Sequence, residues 1–455
     1  MKLESLRTIL GNDGIVTDPS LNSAYTVDWT RRYKGYTPAV LLPRTTGQVS
    51  QIVKWCYENA IALVPQGGNT GMVGGATPVN GELVLSLKRM TAIEEVDDAT
   101  GQIVTQAGAT LGDVQQAASQ VGWKYGVDLS ARDSASIGGT IATNAGGSQV
   151  LRYGNTREQV LSLEAVSGTG DVIGDLRGLP KDNTGYHLPG LLCGSEGTLA
   201  VVTRARLRLV KPPEEELSIL LGFRSLNEAL EIVEEIRKSL DDVQACEIFF
   251  HNGLSLVCER FEIIPPWNEQ LAAYLLVGIG GQPGLEERIS NSPLSAFFNA
   301  SHFVAYGNDS QSRKKLWQYR DLHTEAISAA GVPHKLDVSL PHGKLNEFCN
   351  NVQEVINAID DQTQSFLFGH AGDGNIHVNI LGPDPEDLEV DIAVLKYVAS
   401  LGGSISAEHG IGRAKAHHLY LNRTPTEINI FQEIKSVFDP AGILNPGTIF
   451  PQQEI

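Results

Sequence analysis

Residues 65–75 read PQGGNTGMVGG, five glycines in eleven positions, directly after the apolar run IALV at 61–64. A strand that empties into such a loop brings backbone N–H groups up to a diphosphate with no Cβ in the way. The pattern is neither G-x-G-x-x-G opening a long helix nor a loop ending in GK[ST], so the two commonest nucleotide fingerprints fail. Two further stretches share its character, SIGGTIATNAGG (136–147) and CGSEGTLAVVT (193–203), the latter placing Gly197 just before a long strand. Three such loops in one region argue for a common binding surface rather than isolated turns.

Working outward, PAVLLPR (38–44) reads as a strand. TTGQVSQIVKWCYENA (45–60) carries Val49, Ile52, Val53 and Cys56 at helical spacing. With IALVPQGG this is a strand–helix–strand start, an α/β unit. Strand patterns recur at 82–90, 101–110, 158–167 and 198–210, and KPPEEE (211–216) marks a boundary. Beyond it, SLNEALEIVEEIRKSL (225–240) is an amphipathic helix with Ser225 and Glu228 at capping-box spacing. QACEIFF (244–250), LAAYLLVGI (271–279) and KLDVSLP (335–341) read as strands. WQYRDLHTEAISAAG (317–331) and KLNEFCNNVQEVINAID (344–360) read as helices. The second half is therefore an α+β domain.

The chain has 455 residues and a net charge of −18, which disfavours nucleic acid and anionic lipid as partners. Its five cysteines are scattered and form no CxxC pair, which suits a reducing compartment. No secretory signal is visible at the N-terminus, and the apolar run at 271–281 falls well short of a membrane span. The expected location is the cytoplasm.

FGHAGDGNIHVNI (368–380) carries the chemistry. In GNIHVNIL the alternation puts Ile376, Val378 and Ile380 on one face and His377 with Asn379 on the other. Gly372, Asp373 and Gly374 reverse the chain, bringing His370 towards His377. Two imidazoles on adjacent strands suit a divalent metal, and Glu408 in AEHG (407–410) adds a carboxylate. Such a set leaves coordination positions open for a substrate hydroxyl, with His409 as the base that takes its proton. The ligand types suit Zn²⁺, and also Mn²⁺ or Fe²⁺. Adjacent His417 and His418 diverge in direction and read as surface or supporting residues.

PQGGNTGMVGG, IGGTIATNAGG, RYGNT (152–156), KDNTGY (181–186) and GSEGTL (194–199) together resemble the FAD-binding domain of the p-cresol methylhydroxylase/vanillyl-alcohol oxidase superfamily, over 36–212. The resemblance implies two α/β subdomains clamping FAD, with Pro65, Gly67, Gly68, Asn69, Thr70, Gly71 and Gly75 at the pyrophosphate. It implies Asp128, Ser134, Gly138, Thr140, Asn144, Gly147, Glu196, Gly197 and Val202 at the adenine, ribitol and isoalloxazine contacts. Some relatives attach the flavin through a histidine in the first loop. Asn69 stands in this loop and no histidine does, so the resemblance implies non-covalent FAD.

HAGDGNIHVN, AEHGIG and FDPAGILNPG (438–447) make 213–455 similar to the C-terminal domain of FAD-linked 2-hydroxyacid dehydrogenases. That resemblance implies an α+β cap with an antiparallel sheet, a C-terminal segment returning to the flavin domain, and Asn445 near the flavin. The implied organisation is an N-terminal helical arm (1–35), the FAD domain (36–212), a substrate and metal cap (213–420) and the returning segment (421–455). The implied metal ligands are His370, His377 and Glu408. His409 is the implied base, and Arg320, Thr324, Lys335 and Asn379 the substrate contacts. Arg320 and Thr324, spaced i, i+4, are expected on one helical face. Arg320 and Lys335 supply two cations, as a five-carbon diacid needs, so D-2-hydroxyglutarate is the expected substrate, with D-lactate, glycolate or D-malate as the alternative. An electron-transfer flavoprotein or a quinone is the implied acceptor, and a homodimer the expected assembly. Ala414 stands where relatives carry a bulkier or basic residue.

Overall fold

The computed structural model describes residues 3–292, 294–300 and 303–451. The outermost residues of the expected arm and tail, 1–2 and 452–455, lie outside the described residues. The chain divides into two compact units. One comprises Met1–Gly147, Gly154–Pro212 and Glu408–Ile455, the other Ser148–Tyr153 and Pro213–Ala407.

In the first unit the strands are β1 (Ile15–Val16), β2 (Val40–Leu41), β3 (Leu63–Gln66), β4 (Leu83–Ser86), β5 (Ile93–Asp97), β6 (Gln102–Gln106), β7 (Val160–Ser167), β8 (Val172–Gly174) and β9 (Ala200–Arg208). The order β1-β2-β4-β3 makes a sheet whose β2, β4 and β3 run parallel. The order β5-β6-β9-β7-β8 makes a second, antiparallel sheet. Two subdomains are present as expected, but only the first is α/β; the second is α+β, since its strands all run antiparallel. The helix Thr46–Glu58 is capped by the Thr45 side chain and buries Val49, Ile52, Val53 and Cys56, the four positions its periodicity marks. The C-terminal segment returns to this unit. Ile443 O accepts the N–H of Leu63, and Leu63 O accepts the N–H of Asn445, each at 2.8 Å, so the tail lies alongside β3.

The second unit holds β10 (Glu215–Phe223), β11 (Val243–Phe250), β12 (Ala273–Gly281), β13 (Val304–Gly307), β14 (His334–Ser339), β15 (Gln364–His370) and β16 (Asn375–Leu381). They form an antiparallel sheet in the order β13-β10-β12-β11-β15-β16-β14. Every residue of β12 is buried, which explains a strand with almost no polar alternation. The helix Leu226–Ser239 starts at Ser225, whose side chain accepts the N–H of Glu228, and buries Leu226, Ala229, Val233 and Ile236. On one face of the sheet Phe249, Tyr274, Phe366 and Phe368 pack with Leu316 and Tyr319 of the helix Ser310–Asp321, and with Ile327 of the next helix.

One helical expectation is corrected here. The segment 317–331 is not one helix. Ser310–Asp321 and His323–Ala330 meet at Leu322. The buried His323 ring lies with Nδ1 3.2 Å from the Arg320 carbonyl oxygen. That carbonyl is the one an unbroken helix would offer to the N–H of Thr324, so a side chain has entered the ladder. Arg320 and Thr324 therefore lie on separate helices rather than on one helical face.

Candidate active site

In the second unit, strand register gathers the chemistry onto one face. Antiparallel pairing sets Glu247 opposite His370, Phe368 opposite His377, Asp337 opposite His377 and Lys335 opposite Asn379. Because side chains alternate, Glu247, Phe368, His370, His377, Asn379, Lys335 and Asp337 all rise from the same side of β11, β15, β16 and β14. The histidines are diagonal neighbours across the hairpin. Their rings meet edge to face with centroids 5.4 Å apart, and a ring nitrogen of each lies within 4.8 Å of the other's. The reversal at 371–374 thus does what its glycines suggest, and Gly374 takes a positive φ of 84° there.

Two carboxylates stand behind these rings, and sequence reasoning missed both. Glu247, 1 % exposed, approaches His370 Nδ1 at 2.6 Å through Oε1 and Arg320 Nε at 2.8 Å through Oε2. Burial alone would raise the Glu247 carboxyl. The pull of His370 and Arg320, joined by His377, outweighs it and holds the group below the usual carboxylate value. An ionised carboxylate accepts only, so Nδ1 of His370 carries a proton and donates it to Glu247, which leaves Nε2 as the nitrogen that could meet a metal ion. Asp337, fully buried, stands 3.4 Å from His377 Nδ1 and accepts from Asn375 Nδ2 at 2.7 Å. Each ring is thus backed by a carboxylate at Nδ1, the arrangement that orients an imidazole as a metal ligand. His370 and His377, with Asp337 behind the latter, make a His/Asp cluster that could hold a divalent ion. A signal existed for Glu247, a lone carboxylate inside the apolar strand QACEIFF.

Arg320 is buried, with its guanidinium carbon 4.5 Å from the centre of the Phe368 ring and Glu247 at its side. Lys335, second residue of β14, is half-buried, and desolvation brings its ammonium down to about 8. Thr324 is half-buried in the first turn of the following helix. Asn379 Nδ2 donates to Phe366 O at 3.4 Å. His323 is pushed down to about 3 by burial and then by the Arg320 charge, so it is neutral.

In the first unit, the glycine stretches pack on one another. A Cβ at Gly68 would stand 1.9 Å from Ser134 O, whereas one at Gly71 would meet nothing within 4 Å. The loop is thus pressed onto the 134–139 backbone on one side and open on the other. Asn69 takes φ 55°, its Nδ2 donating to Val27 O at 2.9 Å. Asn445 Nδ2 donates to Gly75 O at 2.8 Å and Glu196 O at 2.7 Å, while its buried Oδ1 has no partner among the described residues. An open loop backbone and an unpartnered buried acceptor are what a bound dinucleotide would use. Asp128 pairs with Arg132 at 3.0 Å, Thr140 turns its hydroxyl to Ile137 O, and Asn144 Oδ1 accepts the N–H of Arg157. Ser134 is exposed, Gly138, Gly147, Gly197 and Val202 are buried, and Pro65, Thr70 and Gly75 are half-buried.

Glu408 and His409 open the last segment of this unit, both half-buried. Glu408 Oε1 accepts the N–H of Gly147 at 2.7 Å. Glu196 accepts the N–H groups of Ile411 and Gly412, each at 2.8 Å. Burial pushes its carboxyl up to about 7, against those two N–H groups and Lys415. Ala414 donates its N–H to Val73 O, His417 is exposed and His418 half-buried.

Residues 37–174 match a family model described as FAD binding domain, and 212–449 one described as FAD linked oxidases, C-terminal domain. The chain is 35 % identical to the D-2-hydroxyglutarate dehydrogenase of Stutzerimonas stutzeri (strain A1501), over 98 % of both chains. It is 37 % identical to the protein of the same name from Xanthomonas citri pv. viticola, over 95 % of this chain and 93 % of that one. The D-2-hydroxyglutarate–pyruvate transhydrogenase of Saccharomyces cerevisiae is 34 % identical over 98 % and 93 %. Among solved structures, a 4-ethylphenol oxidase from Gulosibacter chungangensis superposes with a TM-score of 0.79 at 18 % identity, covering 99 % of this chain and 97 % of that one. Substrate-bound p-cresol methylhydroxylase superposes at 0.77 and 16 %, covering 99 % and 96 %. At such identities these structures show the fold alone.

Proposed function

The chain belongs to the FAD-linked oxidases, within their D-2-hydroxyacid dehydrogenase family, and on that footing we propose that it oxidises D-2-hydroxyglutarate to 2-oxoglutarate with a divalent metal held by His370, His377 and Glu408. When bound, FAD supplies the acceptor for the carbinol hydrogen and its electron pair, and the metal supplies charge that favours ionisation of the hydroxyl. The chain's own residues do the rest. Glu247 and Asp337 orient the two imidazoles through Nδ1, which makes Nε2 the ligating nitrogen of each. His409 takes the hydroxyl proton.

The observation that carries the diacid reading is the pair of cations on the histidine face. Arg320 lies over Phe368 on β15 and Lys335 rises from β14. Two strand spacings separate β15 from β14, roughly 10 Å, which gives a diacid a cation at each end. Anaerobic flavin bleaching by a panel of D- and L-2-hydroxyacids, before and after EDTA, tests the reading. Lys335→Ala should raise KM for the diacid and spare D-lactate, and equal loss on both would defeat the assignment. One observation favours a second reading. Glu247 already engages Arg320, so Lys335 could take the only substrate carboxylate, as in a D-lactate or glycolate dehydrogenase. D-malate is the shorter diacid in the panel. We also propose an electron-transfer flavoprotein or a quinone as acceptor rather than O₂, tested by a peroxide yield far below turnover.

A further inference from the structure

Outside the ligand set, Glu196 is a buried carboxylate of the first unit that joins distant segments. It is 8 % exposed and takes a positive φ of 51°. Its two carboxylate oxygens are fully committed, Oε1 to the N–H of Ile411 and Oε2 to the N–H of Gly412. Gly410 is shaped to it, since a Cβ there would lie 2.7 Å from Oε1. The same segment is stitched to the glycine loop, Val73 O accepting the N–H groups of Arg413 and Ala414 at 2.9 and 3.2 Å. On its backbone side Glu196 O accepts from Asn445 Nδ2, which also holds Gly75 O. Upstream, Glu408 is pinned by the N–H of Gly147. His409 and Gly410 are therefore suspended between two anchors, Gly147 on Glu408 and Glu196 on residues 411–412.

We propose that Glu196 is a positioning residue, whose carboxylate fixes the backbone carrying His409 and ties it to the loop that faces the nucleotide. The two N–H donors meet different oxygens of one side chain, Ile411 on Oε1 and Gly412 on Oε2, and they favour its ionised form, which accepts at both. Glutamine would keep the volume but set an NH₂ against one of the donors. A base displaced by about 1 Å costs on the order of a hundredfold in rate, whereas substrate held by Arg320 and Lys335 would bind as before.

The inference rests on His409 being the base, so its test has an arm that needs no turnover. In Glu196→Gln, hydrogen exchange at the amides of Ile411 and Gly412 should accelerate at least tenfold while flavin content stays at one per chain. In steady state kcat should fall about 10- to 100-fold, with KM for the hydroxyacid changed less than about twofold. Glu196→Asp, which keeps the charge but shortens the reach, should fall between. Unchanged exchange at those amides, or wild-type kcat in a fully flavinated E196Q, would overturn the proposal. So would activity lost only in proportion to flavin, which would make Glu196 a cofactor ligand. Should neither variant fold, exchange of the two amides in the native protein as fast as in an exposed loop would overturn it too. If no hydroxyacid bleaches the native flavin, the functional reading falls, and the exchange result still decides the role of Glu196.

Discussion

Replacing Glu247 by glutamine would show how the histidine face is held together. The native carboxylate sits 2.6 Å from His370 Nδ1 and 2.8 Å from Arg320 Nε, and 1 % of its side chain is exposed. Glutamine keeps the oxygen for His370 but turns an NH₂ towards the guanidinium, leaving Arg320 as a buried cation without its anion. Breaking a buried pair this way costs about 3–5 kcal/mol. At about 2–4 °C per kcal/mol for a unit of this size, the second unit should melt roughly 10 °C lower. The proton on His370 Nδ1 loses its charged acceptor, so metal affinity should weaken about 10- to 100-fold. Calorimetry on the metal-free protein and chelator competition on the loaded one read the two effects separately. The sign with pH is set by the lowered Glu247 carboxyl. Its contribution is fully present above the ordinary carboxylate value and is lost as pH falls through the lower folded value. The acid limb of the stability curve should therefore be shallower in the variant. Adding Arg320→Met to the glutamine variant should recover stability, because the uncompensated charge is gone. A melting shift under about 2 °C together with native metal affinity would refute the account of Glu247.

Other expectations follow from single contacts. Lys335 loses its proton near pH 8 in the free enzyme, so kcat/KM for the diacid should fall up to tenfold per pH unit above that value. Lys335→Arg, charged throughout, should remove that limb. Gly68→Ala places a methyl 1.9 Å from Ser134 O, and absorbance at the flavin band should show the nucleotide lost. His370→Ala should abolish stoichiometric metal by elemental analysis while leaving the flavin spectrum intact. Acid precipitation of the native protein should leave the flavin in the supernatant, as expected for a first loop with Asn69 in place of a histidine.

What could be read in the chain was local. The glycine stretches announce themselves, because a backbone that must approach a phosphate or another chain cannot carry Cβ atoms. The hairpin at 370–377 is legible from a period of two and a glycine reversal. Glu247 was not, because its partner His370 is 123 residues away and the two meet only through the order β11-β15. Asp337 was hidden in the same way. β14 precedes β15 and β16 in sequence, yet lies beyond β16 in the sheet. The break at Leu322 depends on one imidazole reaching a carbonyl, which periodicity does not encode. Glu196 falls in a recognisable motif, but its attachment to residues 411–412 joins positions more than two hundred apart.

The tail beside β3 bears on the order of events during synthesis. The strand that delivers the first glycine loop completes its hydrogen bonding only with Ile443 and Asn445. Synthesis must therefore run through Asn445 before the nucleotide compartment can close. The intervening stretch 213–407 can collapse on its own sheet while the earlier residues wait. Capture of the flavin then waits on residues 443–445, and a chain stopped before Ile443 would lose the coenzyme rather than the second unit's sheet.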